Sequence, residues 1–384
     1  MARMLDMANR DLSRDELLDW LRLIRSENVG PVTFRNLLAH YGSARDALDA
    51  LPELSKRGGR KKPVRIASRQ QAERELKDLE ARGVLPIALS TPSYPGALAA
   101  IDDPPPLLFT AGTPALLHRP GVAVVGARNA SANGRRVARE LGAALAANGY
   151  LVISGLARGI DAAAHTGALD DGTCAVMAGG IDVVYPPEND NLYGEIAQRG
   201  VIVAENPLGM EPQARHFPRR NRLVSGLAQG VVVVEGAQRS GSLISARLAG
   251  EQGREVMAVP GSPLDPRSAG CNSLLKEGAS LIEKPDDVLR VLADRDQPGP
   301  RDSRDGGFGT SGPAGASPDP ASLDAARREV VDLMGAAPVP VDELIRECQF
   351  SPSIVTMVLL ELELAGRCER HPGNRVALIE TDTR

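Results

Sequence analysis

Short, mainly apolar runs recur along the middle of the chain, and each is bounded by turn-forming residues. Such runs are typical of strands that are buried on both faces of a sheet. Segments with helical spacing separate them, so the pattern predicts a mainly parallel, doubly wound α/β sheet. The runs are Val122–Val125, Tyr150–Ile153, Cys174–Met177, Val201–Ala204, Val231–Val234, Glu255–Val259 and Ser280–Ile282. The predicted helices between them are Arg135–Asn148, Ile160–Leu169, Leu192–Arg199, Leu243–Gln252 and Asp286–Leu292.

Residues 12–82 have a helical pattern instead. Leu17, Leu18 and Leu21 fall on one helix face, and the turn Val29–Val32 precedes a second apolar helix. Helix, glycine-containing turn and helix in this order resemble a helix-hairpin-helix or SAM-like module. Such a module contacts the DNA backbone or serves as a packing or partner domain, and we favour the second interpretation.

The C-terminal quarter begins with a segment rich in turn formers. Residues 296–320 contain six Gly and five Pro, which predicts a flexible linker. Three helical patterns and two strand-like runs then follow over residues 323–379, in the order of a winged helix. The third helix usually reads the DNA groove, but here it contains Glu361 and Glu363 and no Lys or Arg. We therefore interpret this module as a protein-contact domain rather than a DNA-binding one.

Composition restricts the function. The chain has 384 residues, a net charge of -4 and only 3% aromatic residues. These values argue against DNA binding by bulk attraction or by base stacking on many rings. No apolar run is long enough to span a membrane, and the start of the chain does not resemble a signal peptide. The cysteines are widely spaced, so we expect reduced thiols in a cytoplasmic protein: Cys174, Cys271, Cys348 and Cys368.

The loops after the predicted strands hold the candidate binding residues, because ligands of such sheets lie outside the carboxyl ends of the strands. Glycines there permit close backbone approach, helix-start amides and hydroxyls attract anions, and arginines offer a planar donor fork. The candidates in chain order are Gly126, Arg128, Ser131, Ser154, Gly155, Arg158, Phe217, Arg219, Arg220, Asn221, Arg222, Ser240, Gly241 and Ser242. The run Phe217–Arg222 is the most distinctive of these loops, and we favour ligand binding over a solvated charge run.

Several common chemistries lack their motifs. The sequence has no Gly-Lys dipeptide for a Walker A loop, and its first strand–helix turn lacks G-x-G-x-x-G. It has no cluster of metal ligands. Ser154, Asp161 and His165 suggest a catalytic triad, but Asp161 is more simply explained as a partner of the helix start. We therefore predict no catalytic residue, metal or cofactor.

At this point the strand-end motifs resemble those of the DNA-processing protein A (DprA/Smf) family. The lead-in residues Tyr94–Pro95 and Asp103–Pro106 also resemble that family. The shared motifs are Val125–Arg128, Ser154–Asp161 with His165, Gly180–Asp182 with Tyr185–Pro186, Phe217–Arg222 and Arg239–Ile244.

The resemblance implies a non-enzymatic protein that binds single-stranded DNA and loads RecA recombinase onto it during natural transformation. It implies an extended Rossmann-like core that forms a homodimer. Arg128 is expected to hold a phosphate or base, and Phe217 to pack the loop or stack on a base. Many family members have a basic residue directly after the Tyr-Pro pair, where this chain has Pro187 and then Glu188. The predicted domains are helical SAM-like 1–85, extended Rossmann-like DNA-binding 86–295, linker 296–322 and winged-helix-like 323–384.

Two other functions remain open at this stage. Rossmann-type nucleotide-processing enzymes of the phosphoribohydrolase kind also use glycine-rich loops after strands. The stretch Glu235–Ser242 corresponds to their glycine-rich motif, but the acidic residue expected on the next helix is absent. A protein-interaction scaffold with the winged-helix-like end as its active part is the other alternative.

Overall fold

The computed structural model describes residues 10–296, 320–371 and 373–379, and these residues form two compact units. Residues 73–296 form one unit, and residues 13–72 belong with the C-terminal module to the other. None of the helices in the described part of the chain combines the length and apolar character that a membrane crossing requires.

A nine-stranded sheet forms the centre of the larger unit, in the order β1-β2-β6-β5-β4-β3-β7-β8-β9. Strands β3 to β9 are mutually parallel, which confirms the predicted mainly parallel α/β sheet. The strands are β1 Leu85–Ala88, β2 Leu107–Gly112, β3 Gly121–Val125, β4 Leu151–Ser154, β5 Thr173–Val176, β6 Val201–Ala204, β7 Gly230–Val233, β8 Glu255–Ala258 and β9 Ser280–Leu281.

Alternate residues of the strands supply two separate cores. In β3, Ala123 and Val125 belong to one buried cluster, whereas Val122 and Val124 belong to the other. Helices cover both faces, which explains why the apolar runs are nearly continuous. The helices of this unit are α4 Arg69–Ala81, α5 Gly96–Ala99, α6 Ala132–Ala147, α7 Ile160–Ala168, α8 Asp190–Arg199, α9 His216–Gly226, α10 Gly241–Glu251, α11 Ala269–Lys276 and α12 Pro285–Asp296.

The strand order places a crevice at the centre of the sheet. Strand β3 pairs with β4 on one side and with β7 on the other. The chain continues outward from β4 to β6 in one direction and from β7 to β9 in the other. The loops after β3 and β7 therefore flank the topological switch point, where ligands of such sheets bind.

The antiparallel strands β1 and β2 extend the sheet beyond β6 and were not predicted from the sequence. Strand β1 is short, contains Pro86 and leaves Leu85 exposed at the sheet edge. Edge strands tolerate proline and lack two-sided burial, so their apolar pattern is weak.

The prediction of a loop at Phe217–Arg222 is wrong, because these residues lie in the first turns of helix α9. Pro218 lies in the first turn, where a missing amide costs no helical hydrogen bond. The apolar residues Leu223 and Val224 that follow are buried in the core, and their packing holds the helix against the sheet.

The smaller unit has an N-terminal group of helices and a winged helix. A capping box at Ser13 and Glu16 begins its first helix. The N-terminal helices are α1 Arg14–Arg25, α2 Pro31–Tyr41 and α3 Ala44–Arg57. The helices of the winged module are α13 Pro320–Leu333, α14 Val341–Glu347 and α15 Pro352–Leu364. Strands β10 Val339–Pro340, β11 Cys368–His371 and β12 Arg375–Leu378 form its sheet. The helical and winged-helix-like modules are thus confirmed, whereas most of the predicted linker 296–322 lies outside the described residues.

Candidate nucleic-acid interface

An exposed arginine and two aromatic rings meet at the carboxyl-end edge of the sheet. The Arg128 guanidinium carbon lies 4.9 Å from the centre of the Phe217 ring. The Tyr185 ring lies 5.7 Å from the same ring, centre to centre. Arg128 is exposed and Tyr185 is 45% exposed. A cation over a ring face is held in orientation without losing its hydrogen-bond donors, so this ring cluster presents an oriented guanidinium to solvent.

Arg220 lies buried below the ring cluster. Its Nη1 atom donates to the Val176 carbonyl oxygen at 2.8 Å, and its Nε atom donates to Asn221 Oδ1 at 3.2 Å. A Cβ atom at Gly155 would overlap the Arg220 guanidinium. Gly155 was predicted to let a ligand approach the backbone, but in the structure it makes room for the buried side chain of Arg220.

Asp161 compensates this buried cation and shapes the loop after β4. Its carboxylate accepts the Gly155 amide at 3.1 Å and the Ala157 amide at 3.4 Å. Burial raises the pKa of Asp161, while Arg220 and these two amides act in the opposite direction. Between them Leu156 adopts a positive φ of 54° with its side chain fully buried. The loop is thus fixed by interactions that the protein makes with itself.

The residues that suggested a catalytic triad do not form a relay. Ser154 Oγ is buried and donates to the Val124 carbonyl oxygen at 2.7 Å. His165 is bonded instead to Thr173, with 2.7 Å between Nδ1 and Oγ1. Asp161 accepts backbone amides and also interacts with the Ser154 side chain, but His165 is hydrogen-bonded to neither, so no Ser–His–Asp relay forms.

Arg222 joins segments that are distant in sequence. Its Nη1 atom donates to the Asp103 carbonyl oxygen at 2.7 Å, and its Nε atom lies 3.3 Å from the Asp103 carboxylate. Its Nη2 atom donates to the Glu205 carboxylate after β6. Asn221 donates from Nδ2 to the Gly241 carbonyl oxygen at 3.2 Å. Helix α9 therefore connects four segments: the residues around Asp103, the carboxyl ends of β5 and β6, and the start of α10.

Two further candidate arginines are exposed on the same edge. Arg158 Nη1 lies 3.4 Å from Glu188 Oε1, and both side chains are more than half exposed. Arg219 is exposed on the first turn of α9. Glu188 therefore reduces the positive charge that Arg158 brings to this edge.

The start of helix α6 is occupied by a carboxylate of the protein itself. Glu235 accepts the Ser131 amide at 2.9 Å on Oε2 and the Ser131 hydroxyl at 2.5 Å on Oε1. A Cβ atom at Gly134 would also lie within 2.7 Å of this carboxylate. Gly126 is required for packing, since a Cβ there would lie 2.6 Å from Ile160. The predicted phosphate site after β3 is thus filled by Glu235.

The start of helix α10 is open by contrast. Ser240 precedes the helix without forming a side-chain cap, and its Oγ lies 2.6 Å from Ser242 Oγ. Nothing lies within 4 Å of a Cβ built at Gly241. Ser242 is buried, whereas Ser240 is half-buried and Gly241 is exposed, so the opening lies at Ser240 and Gly241 beside the helix-start amides.

Sequence reasoning missed two acidic partners of the site. Glu205 and Glu235 are as important to its geometry as the arginines, whereas Asp161 is already expected to act as a partner of the helix start. Tyr185 completes the ring cluster. The Tyr185–Pro186 pair was recognised as a motif, so only its tertiary contact was unknown. Among the described residues no group of three or more His, Cys, Asp and Glu side chains could hold a metal ion.

Comparisons with known proteins match this architecture. The family model described as DNA recombination-mediator protein A matches residues 86–293. The models of the DprA-like N-terminal HHH domain and the DprA winged helix domain match residues 14–77 and 314–374.

Relatives are similar over long stretches. Protein Smf of Escherichia coli (strain K12) is 37% identical over 94% of this chain and 95% of its own. The X-ray structure of DNA processing protein A from Streptococcus pneumoniae is 34% identical, with a TM-score of 0.60, and covers 73% of this chain and 98% of its own. The Helicobacter pylori DNA processing protein A, whose structure concerns its single-stranded DNA binding mode, is 31% identical, with a TM-score of 0.51, over 55% of this chain and 96% of its own.

Replacement of Arg222 tests its role in holding the edge together. Arg222→Met should lower the free energy of unfolding by about 3 kcal/mol, because it leaves two carboxylates beside each other without their cation. Arg199→Met is the matched control, since Arg199 pairs with the exposed Asp170 at the opposite edge of the sheet, and it should change stability by about 0.5 kcal/mol or less. Urea denaturation measures both, and equal losses in the two variants would contradict the assignment.

His165 should make stability depend on pH. Thr173 Oγ1 donates to the Val152 carbonyl oxygen, so His165 Nδ1 must carry the proton. The buried Nε2 has no hydrogen-bond partner within the part of the chain that the structure describes. Burial, with Arg220 nearby, lowers the pKa of His165 to about 3. The unfolded chain binds this proton below about pH 6.5 and the folded chain does not.

The free energy of unfolding should therefore fall as the pH is lowered from 6.5 towards 3. The contribution of His165 to the slope approaches about 1.4 kcal/mol per pH unit. Chemical denaturation of wild type and His165→Gln at several pH values measures it. The free energy of unfolding should depend on pH less steeply in the variant, by the amount that one bound proton contributes. Identical slopes in the two proteins would refute the assignment.

Proposed function

The chain belongs to the DNA recombination-mediator protein A family, and on that premise we propose that it binds single-stranded DNA at the carboxyl-end edge of its sheet and loads RecA onto it. The observation that carries this proposal is the exposed Arg128, oriented over Phe217 beside Tyr185. The guanidinium can donate two hydrogen bonds to a phosphate or to a base edge, and an aromatic ring can stack on a base. A single strand exposes both kinds of group.

The candidate residues divide by position into two roles in this proposal. Direct contact with DNA belongs to the exposed or half-buried residues of the edge and of the α10 start. The others position these contacts, because they are buried, packed or hydrogen-bonded within the protein. The contact group is Arg128, Arg158, Phe217, Arg219, Ser240 and Gly241, and the positioning group is Gly126, Ser131, Ser154, Gly155, Arg220, Asn221, Arg222 and Ser242.

The remaining parts of the proposal follow from the family. We propose that the protein acts during natural transformation, forms a homodimer through its Rossmann-like domain and works in the cytoplasm without catalysing a reaction. Free cysteines support a reducing compartment: Cys174, Cys271, Cys348 and Cys368 are all unpaired and buried.

A nucleotide-processing function is less well supported. A Rossmann-type nucleotide site uses the helix start after the first strand of the motif to hold a phosphate. Here the Glu235 carboxylate accepts the Ser131 amide and hydroxyl at that helix start. A phosphate at the same place would face a negative charge. Incubation with nucleoside monophosphates should accordingly release no free base.

Replacement of Arg128 tests the DNA contact. Arg128→Ala should weaken the binding of a fluorescein-labelled oligo-thymidine about tenfold, because it removes an oriented cation from the edge. If the contact is to a phosphate, the slope of log affinity against log salt should decrease by about one charge.

The matched control is Arg199→Ala, which removes an exposed arginine from the opposite edge of the sheet. Its affinity and salt slope should equal those of wild type. Unchanged affinity in Arg128→Ala, measured by fluorescence anisotropy, would overturn the assignment of this edge.

Glu188 should limit DNA affinity, because its carboxylate pairs with the exposed Arg158 on the proposed DNA-binding edge. Glu188→Gln should raise affinity for the same oligonucleotide about twofold to fivefold at low salt, since the exposed pair is weak and the arginine is released. Asp170→Asn releases Arg199 on the opposite edge and should have no effect. An equal gain in both variants would show that only net charge matters.

A further inference from the structure

The third helix of the winged module is buried on all sides from Met357 to Leu364, which is unusual for an element expected to face DNA. Nine of the 13 residues of α15 are buried, and they include Glu361 and Glu363. A helix that is apolar all round needs packing partners all round. One winged module of three short helices and three short strands supplies such partners on one side only.

The inner partners of α15 come from the winged module itself. Arg327 on α13 donates from Nε to Glu361 Oε2 at 3.2 Å. Arg370 on β11 donates from Nε to Glu363 Oε1 at 2.8 Å. Both carboxylates are thus held in place by arginines of their own module.

The outer partners come from the N-terminal helices. Gly58, at the end of α3, lies so close to the helix that a Cβ atom there would overlap the Glu361 carbonyl oxygen. Arg367 Nη1 donates to the Gly58 carbonyl oxygen at 3.3 Å, and Asn28 Nδ2 donates to the Leu364 carbonyl oxygen at 3.2 Å. Backbone therefore meets backbone across this contact, and specific polar groups fix its register.

A carboxylate of α15 lies beside the start of α2. Helix α2 begins after Gly30, which provides no side-chain cap, and Thr33 lies in its first turn. Thr33 Oγ1 donates to Glu363 Oε2 at 2.8 Å, and both residues are buried. Helix starts attract anions through their amides and dipole. Glu363 thus occupies the neighbourhood in which a DNA phosphate would bind a helix-hairpin-helix turn.

We propose that α15 is a docking helix whose partner is the N-terminal helical module of the same chain. Docking covers the helix that would otherwise enter a DNA groove, and it places Glu363 at the helix start of the hairpin that would otherwise contact a DNA backbone. Neither module binds DNA while they are docked, and single-stranded DNA is left to the α/β unit. This inference goes beyond the proposed function and holds whether or not Arg128 contacts DNA.

Hydrogen exchange of the full-length chain tests the docking. Gly58→Ala should separate the modules, because the added methyl group overlaps the Glu361 carbonyl oxygen. The backbone at Gly58 has a φ of -64° and a ψ of -4°, a conformation that alanine adopts without strain. Amides of α15 and of residues 28–36 should then exchange about tenfold faster than in wild type, since they lose tertiary packing.

The matched control is Gly335→Ala, which adds the same methyl group to the winged module at an exposed position with nothing within 4 Å. Its exchange should equal that of wild type. Thr33→Val is a milder second variant, because it keeps the shape of the side chain and removes the hydroxyl that Glu363 accepts. It should raise exchange in the same two segments to a smaller extent, and it keeps the test valid if Gly58→Ala does not fold.

Two results would overturn the proposal. The first is exchange in wild type as fast as in Gly58→Ala, with both variants folded, since docking would then be unpopulated. The second is protection of α15 by added duplex or single-stranded DNA in the wild-type chain, which would show that the helix faces DNA. Loss of oligonucleotide binding in Arg128→Ala affects neither readout, so failure of the proposed function is distinguishable.

Discussion

The arrangement of the carboxyl-end edge depends on two buried guanidinium groups that project from one helix. Arg220 and Arg222 are 6% and 8% exposed. Arg222 forms ion pairs with Asp103 and Glu205, and the nearby Asp161 carboxylate compensates the charge of Arg220. A buried cation is tolerated only where its charge and its donors are compensated. That requirement forces Asp161, Glu205 and Asp103 to converge on α9, and with them the loops that carry the exposed groups.

This constraint explains how a chain of net negative charge can present a cationic surface. Carboxylates of the protein neutralise the buried arginines, and Glu235 satisfies a helix start that would otherwise attract an external anion. The exposed arginines at 128, 158 and 219 are left on the outer side of the same edge. Their position relative to the rings and loops, rather than the total charge of the chain, determines the local field.

The architecture was largely predictable, because a strand that is buried on both faces of a sheet appears in the sequence as a nearly continuous apolar run. The run Val122–Val125 supplies both cores at once, so nearly every residue in it is apolar. Helix α9 was not predictable in the same way, because Pro218 and three arginines conceal its apolar face. Arginines that bind ligands and arginines that bind the protein also look alike in sequence. Only the tertiary positions of Asp103 and Glu205, more than one hundred residues apart, show which role Arg222 has.

The contact of Arg222 with two distant carboxylates also has an evolutionary consequence. The three side chains come from the segment around Asp103, the end of β6 and helix α9. Loss of Arg222 leaves two neighbouring carboxylates without their cation, whereas loss of either carboxylate still leaves a paired arginine. A substitution of Arg222 should therefore be accepted only together with changes at Asp103 and Glu205, and a helix α9 exchanged between homologues would keep this edge intact only if both carboxylates accompanied its arginine.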